Sequence, residues 1–142
     1  MGYRLHFCTE YVKKYSGNSR FNHNTTAINN LFEWLNNRAD FATDFYHNTD
    51  DLDTADELEW SRKGVDNAIA ILKDMIDTGK SWADIPIYGE YEGDWSMSEW
   101  LSNILQEAEE HDGITPEYVY DFLCDASKNS DQRDAMIHFE WF

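Results

Sequence analysis

A chain of 142 residues with 42% apolar residues, including 6 Trp, 8 Tyr and 8 Phe, carries more ring surface than an acidic disordered chain, even at a mean hydropathy of −0.70. Its net charge of −17 argues against direct binding to free nucleic acid, because phosphate contacts require Lys and Arg. No apolar run approaches the roughly 18 residues that would span a bilayer, so a membrane partner is not expected.

The charge is unevenly placed. Residues 49–126 hold 21 acidic side chains against 4 basic ones (Arg62, Lys63, Lys73, Lys80), a balance of −17 that equals the net charge of the whole chain, so the remainder is neutral. Concentrated like charge costs a compact state stability through self-repulsion, and so bears on partners rather than on fold. The start of the chain lacks a basic segment followed by an apolar one, which predicts a cytoplasmic protein. Cys8 and Cys124 have no CxxC or finger spacing and are expected as reduced, buried thiols.

In chain order, Tyr3, Leu5 and Phe7 alternate with Arg4, His6 and Cys8, which predicts a strand or a bent pair of strands over 3–15 with one face buried. Ser16, Gly17, Asn18 and Ser19 supply turn chemistry. Asn24 or Thr25 is placed to cap a helix whose apolar positions are Ile28, Leu31, Phe32, Leu35 and Ala39, ending between Asn37 and Asp44. Phe41, Phe45 and Tyr46 fit either a further helical turn or an aromatic loop.

An acidic loop over 48–56 leads to Glu57, Leu58, Glu59 and Trp60, whose alternation suits a short strand, and Ser61 then caps a second helix. Val65, Ala68, Ile69, Leu72, Met75 and Ile76 form its apolar stripe, with Asp66, Lys73, Asp74 and Asp77 outward and Gly79 as its stop. Residues 81–95 hold Pro86, Gly89 and Gly93 and read as an irregular surface segment, with Trp82, Ile85, Ile87 and Tyr88 covering one end of the core.

A third helix begins near Ser96 or Ser98, with Met97, Trp100, Leu101, Ile104, Leu105 and Ala108 inward and Glu99, Gln106, Glu107 and Glu110 outward; Gly113 closes it. Thr115, Pro116 and Glu117 give a cap, a first helical residue and a carboxylate suited to the helix dipole, so a fourth helix follows with Val119, Phe122, Leu123 and Ala126 inward. Residues 135–142 read as a last strand. The expectation is a single α+β domain over 1–142: a small, mostly antiparallel sheet that includes the N- and C-terminal strands, covered by about four helices.

Chemical motifs are sparse. His6, His23, His47, His111 and His138 show no HExxH or Cys-paired spacing, although pairing of the terminal strands would bring His6 towards His138. The cluster Asp50, Asp51, Asp53, Asp56, Glu57 fails the EF-hand pattern: counted from Asp51, positions six and twelve hold Asp56 and Arg62, so no tight calcium site is expected. GxSxG, Walker A and GxGxxG motifs are absent. No catalytic residue, metal or cofactor is therefore assigned.

The acidic rows are the more specific signal. Glu117, Asp121 and Asp125 follow i, i+4, i+8 spacing, one helical row with about 6 Å of rise per step, and no basic residue lies four positions away before Lys128. With Glu99, Glu107, Glu109, Glu110 and Asp112 before it, the C-terminal helical pair is expected to present rows of charge resembling a nucleic-acid backbone. Glu99, Glu107, Glu110, Glu117, Asp121, Asp125, Asp50, Asp51 and Asp53 are the candidate partner-binding residues, all expected to face solvent.

In composition the chain is similar to small acidic proteins of phages and mobile elements that block restriction or CRISPR effectors, and to acidic immunity proteins against nuclease toxins; no family motif carries the likeness. That similarity implies a non-enzymatic inhibitor whose partner is a basic nucleic-acid-binding protein. The alternatives are a small metal-dependent hydrolase built on the histidines and the acidic loop, or an acidic interaction protein without mimicry. Arg4, Lys13, Lys14 and Arg20 make the first strand region locally basic, which leaves monomer and homo-oligomer equally open.

Overall fold

Backbone pairing of the two chain ends is the centre of the architecture. The computed structural model describes residues 4–10, 14–15, 21, 24–38, 45–88 and 95–142. Strands β1 (Leu5–Glu10) and β2 (Lys14–Tyr15) form the bent N-terminal pair, with a register irregularity between Cys8 and Glu10. They are followed by helix α1 (Thr25–Arg38), β3 (Phe45–His47), β4 (Glu57–Ser61), α2 (Arg62–Asp77), α3 (Trp95–Asp112), α4 (Pro116–Asn129) and β5 (Met136–Trp141). The fold is α+β: an antiparallel sheet in the order β2-β1-β5-β4-β3, with the C-terminal strand between the N-terminal strand and β4. The turn expected at 16–19, and Tyr3, His23, Ala39, Phe41, Gly89 and Gly93, lie outside the described residues.

Alternation decides which side chains enter the core. Leu5 and Phe7 of β1, Leu58 and Trp60 of β4, and Ile137, Phe139 and Trp141 of β5 are all buried on one face of the sheet. Helices lie against that face: Phe122 of α4 meets Phe7 and Phe139, and Phe32 of α1 meets Trp60 and Phe139. Most of the apolar stripes read from the 3.6-residue period are buried, namely Ile28, Leu31, Phe32 and Leu35; Val65, Ala68, Leu72 and Met75; Leu101, Leu105 and Ala108; and Val119, Phe122, Leu123 and Ala126, whereas Ile69, Ile76, Met97, Trp100 and Ile104, also expected inward, are only half-buried.

Caps explain where the helices begin and end. The Asn24 carbonyl accepts the Ile28 N–H that opens α1 (2.9 Å). Ser61 Oγ accepts from Gly64 N (3.0 Å), and Thr115 Oγ1 from Tyr118 N (3.1 Å) with Pro116 beside it. At the end of α2, Gly79 takes φ +70° and the Lys80 N–H reaches the Met75 carbonyl (2.8 Å), a Schellman closure that a side-chain-bearing residue would strain. Helix α3 starts at Trp95, one residue before the earlier of its two expected starts.

Gly64 has a different role. A Cβ at this position would lie 2.5 Å from Nε1 of Trp60, a fully buried ring that donates to Asn36 Oδ1 (3.3 Å). Alanine is ordinarily favoured over glycine inside a helix by about 1 kcal/mol. Here the overlap outweighs that gain, and Gly64→Ala is expected to cost about 1–3 kcal/mol. A denaturant midpoint that is unchanged or raised would show that the indole gives way freely.

Three expectations are corrected. Phe45 and Tyr46 belong neither to a helical turn nor to a loop but to strand β3, because the chain folds back on β4 in the register Phe45↔Trp60 and His47↔Leu58, with the Phe45 ring edge-on to Trp60. Residues Trp82–Tyr88 are not irregular; they form 3₁₀ turns. Three residues per turn put Trp82 and Ile85 inside and leave Ile87 65% exposed, so Ile87 does not cover the core. Cys8 and Cys124 are thiols as expected, but Cys124 is only half-buried.

Candidate protein-binding surface

The acidic loop between β3 and β4 is a pinned turn. Asp51 accepts the Asp53 N–H (3.1 Å) and caps a short 3₁₀ turn, Leu52–Thr54. Asn48 Oδ1 accepts the N–H groups of Asp56 (3.2 Å) and Glu57 (3.3 Å), while its Nδ2 donates to Asp56 Oδ1 (2.7 Å). Two buried asparagines of α1 hold the loop from below. Asn29 Nδ2 donates to the carbonyls of Leu52 (3.0 Å) and Ala55 (2.8 Å), and its Oδ1 accepts from Trp141 Nε1 (2.9 Å). Asn30 Nδ2 donates to Asp53 Oδ1 (2.8 Å). The backbone is thereby fixed and Asp50, Asp51 and Asp53 remain exposed.

Helix α3 carries Glu99, Glu107 and Glu110 on its exposed side. Near its end, Glu107, His111 and Asp112 border a surface pocket of about 320 Å³ with Asn24, Thr25 and Thr26 of the α1 N-terminus, and Asn24 Nδ2 donates to Asp112 Oδ2 (3.2 Å). The first turn of α1 has no acidic residue of its own, so its positive dipole end is left to offset carboxylates brought by the rest of the chain. Asp53 from the loop bonds Asn30, and Glu107 and Asp112 from α3 border the α1 N-terminus, so carboxylates from two separate parts of the chain flank the first half of α1.

The α4 row lies elsewhere. Helix α4 packs on α2, and α3 packs on α1 and on the 82–88 turns, so the helices are ordered α3–α1–α2–α4 rather than forming the C-terminal pair expected from their adjacency in sequence. Glu117 and Asp121 are exposed, but Asp125 is half-buried and has contacts of its own, a correction to the three-step solvent-facing ladder.

Two of the four basic residues of the acidic region are engaged with other groups of the chain. Arg62 makes four hydrogen bonds to backbone carbonyls, of Ser127 (2.9 Å), Asp131 (2.9 Å) and twice Asp134 (3.2 Å), tying the end of α4 to the start of β5. Lys73 pairs with Asp77 four residues on (3.1 Å), a hydrogen bond that raises the lysine pKa from its ordinary value. Among the described residues, Asp50, Glu107, Glu110, Glu117 and Asp121 have no ion-pair partner.

The terminal strands do not bring the two histidines together, because the register sets His6 opposite Glu140 and His138 opposite Glu59. His138 lies between Glu59 Oε1 (2.9 Å) and Asp134 Oδ2 (3.0 Å). The Met136 N–H, aided by His138, holds the Asp134 carboxyl below the ordinary carboxylate value against the opposing effect of partial burial. Among the described residues no three His, Cys, Asp or Glu side chains gather as metal ligands, and no helix is long and apolar enough to cross a membrane.

Sequence reasoning missed the two buried asparagines and the place of Glu140 beside the other carboxylates of the sheet. Glu57 and Glu59 were legible from their alternation with Leu58 and Trp60; Glu140 becomes part of the same surface only through strand pairing. Comparisons with protein-family models, curated proteins and solved structures find no match.

Proposed function

We propose that the protein is a non-enzymatic binding protein that places its acidic surface in the basic, nucleic-acid-binding groove of another protein and thereby inhibits it. The setting that fits is the cytoplasm, and the class is an inhibitor of phage or mobile-element origin directed at a host defence or nucleic-acid-handling protein, or an immunity protein against a nuclease. One observation supports this above the others: within a region of net charge −17, Arg62 and Lys73 are engaged with other groups of the chain while Glu107, Glu110, Glu117, Asp121 and Asp50 stand exposed with no cation partner among the described residues. Such a surface attracts a basic partner over distances set by the Debye length and repels DNA itself.

The test is capture of a partner from cell lysate on the immobilised protein, followed by charge reversal. Glu117→Lys with Asp121→Lys, and separately Glu107→Lys with Glu110→Lys, are expected to preserve the fold, because exposed substitutions usually shift stability by no more than about 0.5 kcal/mol. At least one pair should weaken the complex by about tenfold, or roughly 1.4 kcal/mol. Two folded variants that bind as tightly as the parent would contradict the proposal.

A further inference from the structure

The central strand β5 is entered through a short turn, and one side chain of the strand reaches back to it. His138 stands opposite Glu59 of β4 with its Nδ1 2.9 Å from Glu59 Oε1, and its Nε2 lies 3.0 Å from Oδ2 of Asp134, four residues earlier in the turn. Asp134 is a fixed point. Its Oδ1 accepts the Met136 N–H (2.9 Å), its N–H donates to the Asp131 carbonyl (3.2 Å), and its own carbonyl accepts two bonds from Arg62 of α2 (3.2 Å each). Glu59 belongs to the neighbouring strand, so the imidazole joins two separate parts of the chain.

A neutral imidazole carries one N–H and one lone pair, whereas the imidazolium carries two N–H groups. Carboxylates at hydrogen-bond distance from both ring nitrogens are therefore both served only by the protonated ring. After loss of the proton, one of them faces a lone pair. His6 and His47 differ, because each sets Nδ1 against a backbone carbonyl, of Arg4 and Thr49, which a neutral ring satisfies. We propose that Glu59, His138 and Asp134 form a proton-operated latch: protonated His138 ties β4 to the turn that opens the central strand, and loss of its proton releases one end.

The charges around the ring are arranged for this. On the same face of the sheet, β4 brings Glu59 and Glu57, β5 brings Glu140, β1 brings His6 and Cys8, and β3 brings Tyr46 beyond Glu59. The turn brings Asp134 and Asp131, the second paired with Arg133 (2.8 Å), while Arg62 is held by backbone carbonyls. The Met136 N–H keeps the Asp134 carboxyl below the ordinary carboxylate value against partial burial, and His138 adds to this, so Asp134 stays ionised over the range in which histidines titrate. The two ends have opposite signs. A depressed carboxyl contributes stability that is lost as pH falls, whereas the doubly donating imidazolium contributes stability that is lost as pH rises.

The experiment compares thermal melting of the parent chain and His138→Gln at about pH 5.5 and about pH 8.5, on either side of the histidine range. Glutamine keeps a donor and an acceptor but carries no charge. Both chains share every other titrating group, so the gap between them isolates His138. The variant should fall about 2–5 °C further below the parent at the lower pH than at the higher, any loss of ring packing being common to both. In a Glu59→Gln background that extra gap should shrink. A gap of equal size at the two pH values, or an extra gap indifferent to Glu59→Gln, would overturn the latch. Nuclear magnetic resonance of the parent gives a reading that needs no variant: both ring N–H protons of His138 should be observed at the lower pH and no more than one at the higher. Ring protons that exchange freely with water at the lower pH would contradict the proposal.

Discussion

A chain ending at Asp134 is expected to lose cooperative unfolding altogether. Strand β5 is the middle of the sheet: β1 pairs with it on one side and β4 on the other, so its removal leaves two strand pairs with nothing between them. It also takes Ile137, Phe139 and Trp141 out of the core, each no more than 2% exposed. At about 1.5–3 kcal/mol for each large buried side chain, the loss is comparable with the entire ~5–15 kcal/mol margin of a small domain. Far-ultraviolet circular dichroism on heating is the measurement. A sigmoidal melt at the parent's temperature would show that the C-terminal strand is not structural.

Replacing Asn29 by Ala is expected to produce the largest effect of any single polar substitution. One fully buried amide satisfies three groups from two separate parts of the chain: the carbonyls of Leu52 and Ala55 in the acidic loop, and the indole N–H of Trp141 in β5. Orphaned buried donors and acceptors each cost about 1–3 kcal/mol, so a total of about 2–5 kcal/mol follows after partial relaxation. Asn29→Asp is the informative companion, because it keeps the acceptor for Trp141 while setting a carboxylate against two carbonyl oxygens. If denaturant midpoints of both variants match the parent, the loop is not held by this residue.

These two expectations mark what the sequence does and does not disclose. Period and capping chemistry are local, and so Ser61, Gly79 and the Thr115–Pro116–Glu117 start were legible, together with the buried stripes they bracket. Alternation at both ends of the chain indicated two terminal strands. Strand β3 was not legible, because three residues with aromatic side chains acquire strand geometry from β4 rather than from their own propensity. Asn29 and Asn30 sit on the helix face that a polarity rule assigns to solvent, and only the position of the loop above them makes burial favourable. For the candidate surface, the acidic identity of residues 49–126 was plain, whereas its division into α3, α4, loop and sheet patches depends on the helix order and strand register. Asp125 illustrates the limit: its i+4 spacing is faultless, yet it is half-buried and has contacts of its own.

The central claim is that exposed carboxylates substitute for nucleic-acid phosphates on a basic partner, and displacement of a labelled duplex from the captured partner at rising salt tests it most directly. The protein is predicted to displace the duplex at low salt, to show no binding to the duplex alone, and to lose about tenfold or more in affinity as salt is raised from about 50 to 300 mM, because exposed charge pairs are screened over that range. An affinity indifferent to salt, or a partner that holds protein and duplex together, would contradict it.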